Sequence, residues 1–371
     1  MKKNFMNIFS AVLAVIALLV ASGCERRPLE DVETVGIIIR VDWKYYEMET
    51  EKPTGMTMVF QDQFGLVTRV TTSSVDSIYV TLPVGTYDAF VFNQSEQEFS
   101  SYSFSGMDSY PDATAELKSF RSRWYSAQRS ETDDEPVATT PEQLGVGLGH
   151  FSITQDMVDA YNRYYPHNKK NKATKDHPAE IDRSASVLLT IYPVDVVSVV
   201  QVKCYIKNID KLYSARASLS GMARRYRMTK EVTGPETITQ LLEHWRAVRN
   251  EDDKTLGYIY AVSDIYSLGL SNGDDTQSKI NLRDTLDNKF ELNLLLVDGK
   301  TQMRFPFWVG SRFTIKKDYA DDINIRDTLF LELGKNGEIE LPDVIVDSTA
   351  NGGFSANVED WDDQVNVNIP I

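Results

Sequence analysis

Apolar and polar residues alternate along most of this chain, and a period of two residues is typical of β-strands rather than helices. In the first such segment, Ile37, Ile39 and Val41 share one face. The same alternation recurs in residues 56–60, 78–82, 87–91, 200–206 and 290–296. Turn signals such as Asp298-Gly299 separate these segments. The pattern predicts a mainly β chain of short antiparallel strands.

The length and the loops suggest how these strands are divided. The chain has 371 residues, of which 42% are hydrophobic, enough for two or three domains. The alternation is lost in a long polar stretch between residues 106 and 184 and then resumes. Many short strands with few helices favour β-sandwiches. We therefore predict an N-terminal sandwich over 35–184 and a C-terminal sandwich over 185–371, joined and interrupted by long loops.

Two segments have helical spacing instead. In residues 153–165, Ile153, Met157 and Tyr161 recur every four residues. In residues 235–250, Pro235 fits the first turn of a helix. The apolar stripe of that segment consists of Ile238, Leu241, Leu242, Trp245 and Val248. The sequence thus predicts one or two short helices.

The N-terminus has the pattern of an export signal. Lys2 and Lys3 precede an apolar run that ends in the small residues of positions 21–23, so residues 1–23 are interpreted as a signal peptide. The run is too short to span a hydrocarbon core of about 30 Å. Cys24 follows directly, as in the lipobox of bacterial lipoproteins, and is the predicted lipid anchor; the alternative is an ordinary signal peptide with an incidental cysteine. Residues 24–34 would form the tether.

Charge and composition exclude several classes of function. The net charge is −15 and the pI is about 4.8, whereas a nucleic-acid site needs a basic face. With four histidines and two cysteines, no metal or cofactor site is expected. Cys204 alternates with Val202 and Ile206, which indicates a small buried hydrophobic residue and not a nucleophile.

No motif indicates catalysis. The four histidines are scattered and indicate no catalytic triad, and the glycine-rich residues 145–150 do not open a long helix as a dinucleotide loop must. The carboxylate pairs at 274–275, 321–322 and 362–363 are interpreted as solvated turns, although a glycosidase needs only two such groups. We therefore expect a protein that is not an enzyme.

Several pieces of the sequence, in this order, resemble the fimbrillin-like surface lipoproteins of type V pili, including their anchors and minor subunits. They are the lipobox at Cys24, GIIIRVDW at 36–43, LPVGTY at 82–87, and the segments 207–223 and 352–371. The resemblance implies two tandem transthyretin-like β-sandwiches. It also implies a role in adhesive filaments at the outer membrane of a Gram-negative bacterium.

The same resemblance implies candidate sites for assembly. Polymerising subunits of this family are cut after an arginine, and Arg40 lies in the first predicted strand, with Arg26 and Arg27 as further candidates. Cutting at Arg40 would open a groove for a neighbour's terminal strand, but Arg40 also fits a solvent-facing strand residue. The C-terminal alternation is either a donor strand or the last strand of the chain's own sandwich; it comprises Val365, Val367, Ile369 and Ile371.

Two functions remain open from the sequence. One is a lipoprotein that anchors or joins a pilus and contacts its subunits by strand addition. The other is a lipid-anchored glycan-binding protein of a nutrient-uptake system, with aromatic pairs at 45–46, 124–125 and 164–165 as stacking residues. Coplanar aromatic rings would favour the glycan, and an apolar groove along an unpaired strand edge would favour the pilus.

Overall fold

The computed structural model describes residues 33–46, 53–121, 135–138, 140–164, 187–261, 265–270, 288–345 and 365–367. Up to residue 195 the elements are β1 (Thr34–Val41), β2 (Met56–Asp62), β3 (Val67–Thr72), β4 (Ser77–Pro83), β5 (Gly85–Asn93), β6 (Tyr102–Ser105), β7 (Thr114–Leu117), β8 (Val137–Ala138), β9 (Gly145–Ile153), α1 (Gln155–Tyr164), β10 (Val187–Ile191) and β11 (Val194–Asp195). The later strands are β12 (Ser198–Lys207), β13 (Leu212–Ala223), β14 (Arg225–Arg227), β15 (Val232–Thr233), β16 (Thr237–Leu242), β17 (Trp245–Arg249), β18 (Leu256–Ala261), β19 (Ile265–Ser267), β20 (Lys289–Leu296), β21 (Gln302–Trp308), β22 (Thr314–Ala320), β23 (Ile323–Leu333) and β24 (Val365–Val367). The prediction of a mainly β chain is confirmed.

Two sheets form the N-terminal half. One has the strand order β10-β1-β4 and the other β11-β9-β5-β2-β3. Their facing side chains form one hydrophobic cluster, in which Ile37 and Ile39 of β1 pack with Met58 and Phe60 of β2. In β1, Ile37, Ile39 and Val41 are buried and alternate with the more exposed Ile38 and Arg40. The period of two therefore correctly identified the core face of that strand.

The second of these sheets is buried on both faces. Val59, Phe90 and Phe92 point away from the first cluster and join a second, larger one together with Phe99 and Tyr102. Apolar residues therefore run continuously through β2 and β5 instead of alternating. This second cluster continues into the C-terminal half.

The C-terminal half contains the sheet β22-β23-β12-β18-β17-β24, with β19 also paired to β12, and the sheet β21-β20-β13-β16-β8. Inward side chains of both sheets share the larger cluster, including Val202 and Cys204 from β12 and Leu292 and Leu294 from β20. Cys204 is fully buried, as predicted, and burial raises the pKa of its thiol well above the usual value. The thiol is therefore a packing group.

Strand pairing connects the two halves of the chain. In the small sheet β15-β14-β7-β6, β7 of the N-terminal half pairs with β14, and β8 pairs with β16. Conversely, β10 and β11 pair with β1 and β9. The predicted domain boundary at residue 184 lies outside the described residues, and it stays a prediction.

One of the two predicted helices is confirmed and the other is wrong. Within the 153–165 segment, Gln155–Tyr164 forms α1, whereas Ile153 is the last residue of β9. The 235–250 segment forms β16 and β17, which lie in different sheets and are joined through Glu243 and His244. Five of the six residues of β16 are buried, so both faces of this strand are covered, and a doubly buried strand can mimic a helical stripe.

The glycine-rich residues 145–150 belong to β9 and allow the two N-terminal sheets to approach closely. A Cβ atom on Gly147 would lie 2.6 Å from Cγ2 of Ile191 and 3.0 Å from the backbone nitrogen of Pro193. The glycines therefore serve packing. None of the described helices is long and apolar enough to cross a membrane.

Candidate functional site

Of the residues singled out from the sequence, Cys24, Ile369 and Ile371 lie outside the described residues. Arg40 lies in β1, and Val365 and Val367 bound β24. The structure does not bring β1 and β24 into one sheet, because β1 pairs with β4 and β10 whereas β24 pairs with β17. These predicted positions are therefore parts of different sheets.

Arg40 has an exposed side chain on a well-paired backbone. It lies opposite Ser77 of β4 and Thr190 of β10, and its neighbours Ile39 and Val41 are buried in the core. A protease needs an extended, accessible backbone, and here β1 is the central strand of its sheet. Cutting after Arg40 in the folded chain would therefore require β1 to leave the sheet first.

β24 occupies an edge of the larger C-terminal sheet. It runs antiparallel to β17, with Val367 opposite Trp245 and Val365 opposite Ala247. In this arrangement the chain's own C-terminal segment covers the edge of β17. The geometry is that of a closing strand.

Each of the two C-terminal sheets has a further end strand, β21 in one and β22 in the other, and we call these two strands the β21–β22 edge. Among the described strands, β21 pairs only with β20 and β22 only with β23. Met303, Phe305 and Phe307 of β21 extend the core face of β20 but are only half-buried. Trp308, at the end of β21, is 61% exposed. This edge thus combines unpaired backbone with incompletely covered apolar side chains.

Polar residues limit random pairing at the β21–β22 edge. Pro306 has no N–H group to donate to a further strand, as is typical of proline in an edge strand. Lys316 and Lys317 on β22 are exposed and oppose uncontrolled association, as charged residues on edge strands commonly do. An added strand would need a specific, complementary sequence to bind here.

A second surface feature is a tyrosine cluster on the outer face of the larger C-terminal sheet. It comprises Tyr205 of β12 and Tyr258 and Tyr260 of β18, all half-buried. The ring centroids of Tyr205 and Tyr258 are 5.7 Å apart at 53°, and those of Tyr258 and Tyr260 are 6.2 Å apart at 44°. The rings are tilted and not coplanar, so they cannot form a flat stacking platform.

Charged groups surround this tyrosine cluster. Nζ of Lys203 lies 3.6 Å from the ring centroid of Tyr258, a cation–π contact. Glu332 accepts hydrogen bonds from Nζ of Lys335 at 2.6 Å and from the hydroxyl of Tyr205 at 3.1 Å. The hydrogen bond from Lys335 is the main reason why the pKa of Glu332 is lowered. Two shallow depressions of about 420 and 500 Å³ adjoin the cluster and share Tyr258 and Val248.

The tyrosine cluster is not among the positions predicted from the sequence. The sequence does contain a pattern that could have indicated it. Tyr258 and Tyr260 are two residues apart, as are Lys203 and Tyr205, and a period of two places each pair on one face of its strand. Of the aromatic pairs that were considered, Tyr45 and Tyr46 are buried in the fold. The pairs at 124–125 and 164–165 cannot be placed, since residues 124, 125 and 165 and the side chain of residue 164 lie outside what the structure describes.

Of the three carboxylate pairs, those at 274–275 and 362–363 lie outside the described residues, and the pair at 321–322 lies in a turn. Asp321 and Asp322 form the turn between β22 and β23, and both have positive φ angles. Oδ2 of Asp321 accepts a hydrogen bond of 2.7 Å from the hydroxyl of Tyr45 and pairs with Nζ of Lys44 at 3.1 Å. Across the described ranges, no group of three or more His, Cys, Asp or Glu side chains could hold a metal ion.

Comparison with known proteins gives one family match. A family model described as "Domain of unknown function (DUF5119)" matches residues 23–243. No curated protein matches the chain.

Comparison with solved structures gives matches that cover most of this chain. A proposed adhesin from Bacteroides ovatus has 17% identity and a TM-score of 0.49, covering 87% of this chain and 99% of its own. A proposed polysaccharide-binding protein from Bacteroides thetaiotaomicron has 10% identity and a TM-score of 0.42, with coverages of 80% and 90%. The fimbrial anchor protein Mfa2 from Porphyromonas gingivalis has 8% identity and a TM-score of 0.37, with coverages of 79% and 94%.

Proposed function

The chain belongs to the family described as domain of unknown function DUF5119, and we propose that it is a lipid-anchored surface protein that anchors or joins an adhesive pilus. In this proposal, the acylated Cys24 holds the protein at the outer membrane and the folded strands contact a pilus subunit. The observation that carries the proposal is the β21–β22 edge.

The physical reason is that strand addition suits this edge. A strand that pairs with β21 would gain main-chain hydrogen bonds, while its alternate side chains would cover Met303, Phe305 and Phe307. Burying these half-buried apolar groups would provide affinity. Pro306 and the lysines of β22 would disfavour pairing with strands of unsuited sequence.

Site-specific photo-crosslinking in the native bacterium tests the contact. A photoreactive amino acid at Trp308, on the edge strand, should give an adduct with another surface protein. The matched control is the same amino acid at Leu256, which is also exposed but lies in β18, between β12 and β17. The pilus proposal fails if the displayed protein gives no adduct from Trp308 or from Gln302 at the other end of β21.

Mass spectrometry of the protein purified from its native membrane tests the anchor. An acylated Cys24 on the otherwise complete chain is the expected result for an anchor or joining subunit. A chain that begins at Val41 would instead show cleavage after Arg40 and identify a polymerising subunit. An unmodified Cys24 would contradict lipid anchoring.

The tyrosine cluster supports a second candidate, the glycan-binding function. Tyr205, Tyr258 and Tyr260 line two adjoining depressions and present rings on which sugars could stack. Their tilt favours a twisted soluble glycan over a flat crystalline one. In a glycan-binding assay, Tyr258→Ala should abolish binding, whereas Tyr213→Ala, at an exposed tyrosine outside the cluster, should not. Equal binding by both variants would exclude this site.

A further inference from the structure

The hairpin tip between β2 and β3 exposes two large apolar side chains. Phe64 is 84% and Leu66 is 69% exposed, among the highest values for hydrophobic residues in the described structure. Exposed apolar groups that lie side by side commonly mark a contact surface.

This tip is held in a fixed shape. Oδ1 of Asp62 accepts hydrogen bonds from the backbone N–H of Phe64 at 2.9 Å and of Leu66 at 2.8 Å. The N–H of Gly65 donates to the carbonyl of Asp62 at 3.0 Å, and Gly65 has a φ of +83°, which suits glycine. The hairpin therefore presents Phe64 and Leu66 outward on a rigid support.

Strand register places the tip at the end of the N-terminal half where the tether enters. Asp62 lies opposite Tyr87, so the tip is level with Gly85 at the start of β5. Pro83, just before that connection, lies opposite Thr34, the first residue of β1. Val84, between the two, is 41% exposed. Phe64, Leu66 and Val84 thus share one end of the fold with the start of β1, and we call them the apolar end.

Helix α1 also begins at this end. Ile153, which precedes α1, lies opposite Gly85, and Nε2 of Gln155 donates a hydrogen bond of 2.8 Å to Oε2 of Glu33. This contact fixes the direction in which the chain enters β1. Nine residue steps separate Cys24 from Glu33, so even a fully extended tether spans only about 30 Å.

We propose that the apolar end docks on the lipid surface, with Phe64 and Leu66 inserted into the headgroup region beside the anchor. This inference rests on the proposed lipid anchor, because the tether keeps this end of the fold within about 30 Å of the bilayer. The acidic net charge of −15 opposes attraction to anionic lipid. The partner is therefore an uncharged or zwitterionic lipid surface, bound through apolar contact.

The contribution of the apolar end to membrane affinity can be measured with a protein that carries a single acyl chain. One chain alone binds membranes only marginally, so any added affinity is visible. The complete chain from residue 24 would be coupled at Cys24 to one fourteen-carbon chain through a maleimide, and its partition into phosphatidylcholine vesicles measured. Cys204 is fully buried and will not compete for the reagent in the folded protein.

The unsubstituted protein should partition at least about tenfold more strongly than the F64S/L66S variant. The matched control I345S/L256S removes two other exposed apolar side chains and should behave like the unsubstituted protein. Trp fluorescence of an F64W variant should also shift to the blue on vesicles and be quenched by brominated lipid. Equal partition of F64S/L66S and the unsubstituted protein, or an F64W signal that vesicles leave unchanged, would overturn the proposal.

Because acylation is performed in vitro, this experiment does not depend on processing in the cell. An unmodified Cys24 in the native protein would refute the proposed anchor and leave the vesicle result standing. A negative vesicle result with an acylated native Cys24 would refute the apolar end alone.

Discussion

At the scale of single residues, Glu142 shows how a carboxylate can organise a loop. It accepts hydrogen bonds from the backbone N–H and the hydroxyl of both Ser100 and Ser101, at 2.7 to 3.2 Å. Burial opposes the charge, but the bonds from Ser101 and Ser100 outweigh it and lower the pKa of Glu142 from its ordinary value of 4.5. The charged form is therefore favoured in the folded state.

This lowered pKa gives a pH-dependent prediction. A folded-state pKa below the unfolded one stabilises the fold above the unfolded value, and that contribution is lost as the pH falls through the folded value. Glu142→Gln should cost about 1 kcal/mol of unfolding free energy at pH 7, because the site is partly exposed, and less below about pH 4. Urea unfolding at both pH values measures this, with the exposed Glu251→Gln as control. A difference that is the same at both values would contradict the prediction.

Gly147 gives a second prediction at this scale. Gly147→Ala should lower the free energy of unfolding by about 1–3 kcal/mol, since the new Cβ would collide with Ile191 and with the backbone of Pro193. Gly85→Ala is the matched control, because its nearest atoms lie at an ordinary contact distance of 3.5 Å. Thermal unfolding of the two variants should differ clearly; equal melting temperatures would show that β9 and β10 are not packed this closely.

At the scale of elements, the period of two identified β1, β12 and β20, since each has one buried face. Helical spacing gave the wrong structure for β16, because Leu241 and Leu242 are consecutive and both buried. The half-buried residues at the β21–β22 edge have the same alternation as any strand, so their incomplete covering was not predictable. Local pattern thus predicts strands but does not reveal which ones lie at an edge.

The last strand allows the two interpretations of the C-terminal alternation to be separated. If β24 closes its own sheet, a chain that ends at residue 364 should show faster amide hydrogen exchange in β17, because the partners of Trp245 and Ala247 are lost. Exchange in β5, which is remote from this sheet, serves as the internal control. Unchanged exchange in β17 combined with lost assembly would instead identify residues 365–371 as a donor strand.

At the scale of the whole molecule, a buried ion pair joins the two halves. Nη2 of Arg326 in β23 lies 3.4 Å from Oδ2 of Asp195 in β11, and both residues are buried. The partners are 131 positions apart, so no local pattern could have indicated the pair. The pairings of β7 with β14 and of β8 with β16 were hidden from the sequence analysis for the same reason.

These connections predict that the chain unfolds as one unit. Asp195→Asn should destabilise the whole molecule by about 3 kcal/mol, since it removes the negative charge that pairs with the buried Arg326 guanidinium. Asp88→Asn, which breaks an exposed pair with His150, should have little effect. Near-ultraviolet circular dichroism and tryptophan fluorescence should follow the same single transition in both variants. Separate transitions for the two probes would show that the halves unfold independently.

The position of β1 also determines when this protein can fold. β1 pairs with β4 shortly after it in the chain, but its other neighbour is β10, which begins at Val187. As long as Ile191 is not yet available for folding, one side of β1 has no neighbouring strand. The core around Ile39 then stays exposed to solvent. Such distant pairing slows folding because a long loop must close before the contact forms. The first described strand of the chain is therefore among the last to be fully paired, and the chain must be kept from aggregating until about half of it is available for folding.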